Sequence, residues 1–192
     1  LDDLGAGARD RVHRRLLAWT RDHVGALMEP VRSLGRGRDD ANLRGLIYQL
    51  DQSLGTVPSR RVRALVDALD DETRAALDAA GLVLGVRVTW HRALLSAEAM
   101  AQRAELVRVW AGEALPLPPL GRASVPLPRG TKVEAWWAAG YAAYGGRAVR
   151  CDLAERALHE ALGGDEAAAR RTLGCPAGEA IAVLQALRMD TP

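Results

Sequence analysis

The stretch ALPLPPLGRASVPLP, Ala114 to Pro128, carries five prolines in fifteen residues. Proline has no backbone N–H to donate and fixes φ, so neither a helix nor a ladder is expected to run through it. The stretch reads as an extended, semi-rigid connector. It divides the chain into a helical domain over residues 1–112 and a small module over 131–192, with the connector at 113–130.

Ahead of the connector the apolar residues follow helical spacing. Val12, Leu16, Trp19, Val24, Leu27 and Met28 mark one long amphipathic helix that Pro30 is expected to close. The polar loop GRGRDD, Gly35 to Asp40, precedes a second stripe of Leu43, Leu46, Ile47, Leu50 and Leu54, ending at Gly55 as a left-handed cap. Ser59 stands in an N-cap position before Val62, Leu65 and Val66, and Asp70 or Asp71 restarts a helix that stops at Gly81. LVLGVRVTW, Leu82 to Trp90, is β-branched and uncapped, which predicts a short strand or an extended connector. Ser96 opens a further helix through Met100, Leu106, Val107 and Trp110.

Beyond the connector, Lys132 to Ala139 predicts a short helix, and Tyr141 to Tyr144 and Arg147 to Cys151 two short strands. Gly145 and Gly146 then form the hairpin turn, and Asp152 with Glu155 has capping-box spacing. Helices are expected from Leu153 to Leu162, from Glu166 to Leu173 and from about Ala177 to Leu187. The short Gly174 to Pro176 break between the last two has helix-turn-helix spacing. With no Phe, five Trp and 48% apolar residues, the core must be built largely from Leu, Val and Ala, which favours helices. The expected fold is mainly α, a helical bundle followed by a smaller module with a short β-hairpin and helix-turn-helix-like helices.

Several chemistries lack their residues. Neither GxGxxG nor GxxxxGK[ST] occurs, and GYAAYGG is followed by Arg147 and Ala148 rather than lysine and a hydroxyl. This chain by itself is therefore expected to hold no cofactor and to hydrolyse no ATP. Two cysteines, Cys151 and Cys175, make no disulfide framework, and four scattered histidines give no zinc-ligand spacing. No apolar run reaches the roughly 20 residues of a membrane span. A reduced, cytoplasmic setting without a membrane partner is expected. Because the chain starts at Leu1 rather than Met, it is expected to be a piece of a longer protein.

Of the 26 basic residues only Lys132 is a lysine, a bias that codon usage explains as readily as phosphate recognition, which arginine suits. Their distribution is more informative. Residues 113–150 carry Arg122, Arg129, Lys132, Arg147 and Arg150 against Glu113 and Glu134, a net +3, whereas 151–192 carry four bases against seven acids, a net −3. Arg147 and Arg150 tend to opposite faces of a strand. One is then open to solvent or phosphate while the other pairs with Asp152 or Glu155. Trp136 and Trp137 are adjacent, so one faces the core and the other stacks on a base or on a neighbouring domain. Arg170 and Arg171 are placed to touch phosphates, although the second helix of the pair opens with Pro176, Ala177, Gly178 and Glu179, a poor base-reading surface. Cys151 has either a lowered thiol pKa at a helix start or an inert buried thiol.

The blocks RRVRALVDALDDETRAALDAAGLVLGVRVTWHRALLSAEAMAQRAELVRVW, SVPLP, AGYAAYGGRAVRCDLAERAL and LGCPAGEAIAVLQALRM follow one another in an order that resembles a known region. It is the C-terminal region of bacterial superfamily 2 helicases similar to the mitochondrial degradosome RNA helicase. The resemblance spans about residues 45–189 and is sharpest at GGRAVRxD and at LGC with its following helix. It implies an upstream ATP- and Mg²⁺-dependent motor of two RecA-like domains. It also implies a C-terminal region that guides a single RNA or DNA strand and docks on that motor. Ser96 and Ala97 depart from the family's Lys-Pro pair and Cys151 from its usual Val, and the missing lysine weakens any transfer of a phosphate-contact role to this position. On this reading the strand-contacting residues are Arg122, Arg129, Lys132, Trp137, Arg147, Arg150, Arg170 and Arg171. A stand-alone helix-turn-helix regulator and a protein-interaction scaffold are the alternatives.

Overall fold

The structure, a computed structural model, describes residues 5–112 and 122–189. Among these the fold is mainly α, with helices around two small antiparallel sheets. Helix α1 (Ala6–Arg32) runs straight through Pro30, contrary to the expected stop. One missing N–H in the last turn is outweighed there by full burial of Val31 and burial of Leu34. The Ser33 hydroxyl also donates to the Pro30 carbonyl at 3.1 Å.

Asp40 caps α2 (Ala41–Gln52) by accepting from the N–H groups of Asn42 and Leu43. The turn that follows places Gly55 at φ 86°, the left-handed conformation its position predicted. Strand β1 (Thr56–Pro58) leads into α3 (Ser59–Asp67). Ser59 does not cap that helix. Its hydroxyl donates to the Gly85 carbonyl at 2.6 Å and lies 3.0 Å from the Thr89 hydroxyl, so it ties the helix start to a hairpin. Asp70 does cap α4 (Asp71–Ala79) through the Thr73 N–H.

LVLGVRVTW folds into two strands, β2 (Leu82–Leu84) and β3 (Val88–His91). With β1 they make a sheet of order β1-β3-β2. Ser96 caps α5 (Ala97–Ala111), and Gly112 ends it in the left-handed region.

Part of the proline-rich stretch is regular after all. Ser124–Pro126 forms β4, an edge strand on which proline is tolerated, because a partner accepts on only one side. Helix α6 (Val133–Ala138) and strands β5 (Tyr141–Tyr144) and β6 (Arg147–Arg150) follow, and the second sheet has the order β4-β6-β5. Gly145 and Gly146 take φ 54° and 78° at the hairpin turn, as a type I′ turn requires.

Helices α7 (Cys151–Leu162), α8 (Glu166–Leu173) and α9 (Ala177–Met189) complete the fold. The capping box expected at Asp152 and Glu155 does not form. Helix α7 starts two residues earlier, Asp152 pairs with Arg150, and Glu155 serves another element. Its carboxylate accepts from the backbone N–H groups of Val86, Arg87 and Val88, in the β2–β3 hairpin.

The segments on either side of the proline-rich stretch share a core. Val88 and Trp90 of β3 cluster with Ala142, Val149, Leu158 and Leu184, while Met100 of α5 packs with Trp136, Tyr141 and Ala148. Arg87 is buried beneath α9 and donates from Nε to the Leu187 carbonyl at 2.5 Å, satisfying a helix-end acceptor. Among the described residues no helix is long and apolar enough to cross a membrane.

Candidate nucleic-acid interface

The structure separates the eight sequence-predicted contact residues into different environments. Arg122, Arg129, Lys132, Arg170 and Arg171 are exposed. Arg170 is held by Glu166 at 3.0 Å, one helical turn away, a surface pair that a phosphate can displace at small cost. Arg150 is half-buried in a two-pronged pair with Asp152, at 2.7 and 2.8 Å, which raises its pKa further through the side-chain hydrogen bond.

Arg147 lies inside. It is 6% exposed and donates to the Ser124 hydroxyl and carbonyl while pairing with Glu179. Contact with a strand through Arg147 does not fit this placement, because its guanidinium is buried and already engaged by Glu179 and by the Ser124 hydroxyl and carbonyl. The same pair ties the first turn of α9 to the second sheet. The acid at the position where a recognition helix would read bases is thus already engaged by the fold.

Trp136 is fully buried and donates from Nε1 to the Thr131 hydroxyl, whereas Trp137 is half-buried and meets Tyr144 edge to face. Trp137 lines a cleft of about 420 Å³ formed by the end of α2, β1, the start of α3, α5 and α6. Its walls also carry Trp110, Arg60, Arg61 and Thr56. Lys132 immediately precedes α6, so it stands at the same end of that helix as Val133 and Glu134 of the cleft. Arg60, Arg61 and Trp110 were not among the sequence-predicted contacts. Their signal was the RR pair at the start of α3, legible only once α5 and α6 are known to pack opposite it.

Arg103 lies beneath this cleft. It is fully buried, and its guanidinium donates to the carbonyls of Ala138 (2.7 Å), Leu94 (3.0 Å) and Trp137 (3.2 Å) and to the Thr56 hydroxyl (2.7 Å). All these acceptors are neutral. Burial pushes its pKa down to about 10, which still leaves it charged at neutral pH.

A second, apolar groove of about 500 Å³ runs between α1 and α5 and is lined by Trp19, Val24, Leu27, Leu106 and Val109 among others. Val24 and Leu106 line both hollows, so the groove and the cleft are neighbours. The outward part of α1 leaves Leu16, Leu17 and Trp19 exposed.

Cys151 is buried at the first position of α7, and burial drives its thiol pKa upward, so the inert alternative describes it. His91 is also buried. Its Nε2–H donates to the Ala80 carbonyl and its Nδ1 accepts from the Ala93 N–H, an arrangement only the neutral ring can make.

No protein-family model matches the chain, and no curated protein and no solved structure matches it significantly.

Proposed function

We propose that this chain is the accessory C-terminal region of an ATP-dependent superfamily 2 helicase. It guides single-stranded RNA or DNA and docks on a motor outside the chain, which supplies the ATP and Mg²⁺ chemistry. The reading starts from the ordered sequence blocks described above. The observation that carries it is the cleft, where Trp110 and Trp137 occur with Arg60 and Arg61 in one concavity, beside exposed Lys132. Aromatic faces with arginines are the pairing that holds single strands without reading their sequence. The apolar groove between α1 and α5 supports the docking half, since its Trp19 and Val109 sides lie open. The reading places the protein in the cytoplasm, in keeping with two free cysteines.

Binding of fluorescently labelled single-stranded RNA and DNA oligomers to the chain, followed across salt concentration, tests it. Weak binding that falls steeply with salt is the expected result, because each phosphate contact releases counterions. Failure to bind either oligomer at low salt would overturn the strand-guiding half. Binding confined to one selected duplex sequence would replace it with a sequence-reading regulator.

A further inference from the structure

We propose that the cleft is a single-nucleotide pocket: it takes one nucleotide unit, the base against the Trp110 and Trp137 indoles and the phosphate toward Arg61. The inference rests on the strand-guiding reading and gives it a place. A hollow of about 420 Å³ falls within the ~300–1,000 Å³ typical of pockets that enclose small ligands.

Its chemistry is of two kinds in one space. Leu54, Val133 and the two tryptophans offer flat and apolar contact, while Arg61 offers a forked donor suited to phosphate oxygens. Arg61 has no ion pair among the described residues. Among the described residues Glu134 is the sole carboxylate that lines the cleft.

Charge beneath the surface points the same way. Thr56, Trp137 and Ala138 line the cleft, and each also accepts a hydrogen bond from Arg103 on its inner side. Among the described residues Arg103 donates to neutral acceptors alone, so no carboxylate there cancels its charge. A cation held in a poorly polarisable interior projects a positive potential onto the nearest opening. An anion in the cleft gains from it without touching it. A neutral apolar ligand would gain nothing from it.

The experiment titrates the full chain with a short labelled oligouridylate, with uridine monophosphate and with inorganic phosphate, for the unaltered chain and for Trp110→Ala and Arg61→Glu. Both positions are exposed, so both variants are expected to fold; thermal unfolding checks this. Oligomer binding is expected to weaken about tenfold in each variant, the scale of one stacking or phosphate contact. Saturable binding of uridine monophosphate, lost in both variants, would show that a free nucleotide also fills the site; binding of the oligomer alone assigns it to a strand. Oligomer binding unchanged in both variants would overturn the pocket while leaving strand guiding intact. If neither oligomer nor monophosphate binds, both readings fall, and if phosphate binds as well as the nucleotide, the role of the tryptophans falls.

Discussion

Two buried side chains show how single residues hold this fold. Arg103 ties α5 to the end of α6, to the 3-10 turn at Arg92–Leu95 and to β1 with four hydrogen bonds to neutral acceptors. Arg103→Leu would leave the carbonyls of Leu94, Trp137 and Ala138 facing an apolar side chain. Urea denaturation should show a loss of about 3 kcal/mol, the scale of orphaned buried acceptors. Arg103→Lys should recover only part of it, because an ammonium cannot span the forked set. His91 makes stability depend on pH. Burial holds its pKa below the ordinary 6.5. The unfolded chain therefore takes up the proton first, and stability is complete above about 6.5 and lost as pH falls from there toward the folded pKa. The expected result is a urea midpoint that drops between neutral and mildly acidic pH in the unaltered chain, and drops less in His91→Gln.

At the scale of elements, the β5–β6 hairpin is pinned by its turn. A Cβ on Gly145 would come within 2.5 Å of the backbone of Ala182 and Val183 in α9, at φ 54°, whereas Gly146 has open space around it. Gly145→Ala should cost about 2 kcal/mol or more, since backbone on a packed helix cannot step aside. Gly146→Asn should lie within about 0.5 kcal/mol of the unaltered chain, because Asn accepts the left-handed region. Calorimetric melting of the two variants gives the comparison, and equal melting points would contradict it. The caps show where local reading works. Asp40, Asp70 and Ser96 cap their helices with their own side chains. Ser59 and Glu155 had the same local credentials, and each was taken by a hydrogen-bond partner from a remote hairpin.

Across the whole molecule, the proline-rich stretch does not separate two independent cores. Val88, Trp90 and Arg87 from one side sit within or beneath the packing of α7, α8 and α9 on the other. Proteolytic cutting within residues 113–121 should accordingly give two fragments that stay associated and coelute in gel filtration. Fragments that separate and each keep a cooperative melt would instead establish two self-sufficient domains.

The amino-acid sequence by itself determined the helices, most of their boundaries and the Gly145–Gly146 hairpin. Apolar periodicity, caps and turn conformations act over a few residues, and no distant contact is needed to read them. Only the tertiary structure decided the rest. Pairing of β1 with β3 and of β4 with β6, burial of Arg147, and the cleft over Arg103 all join groups far apart in the chain. Arg103 reaches Thr56 across 47 residues, and Arg87 reaches Leu187 across 100. An arginine's local neighbours cannot say whether it ends in solvent or in a ring of carbonyls. That is set by which acceptors the fold leaves inside, because a guanidinium is tolerated in the interior only where enough acceptors meet its N–H groups.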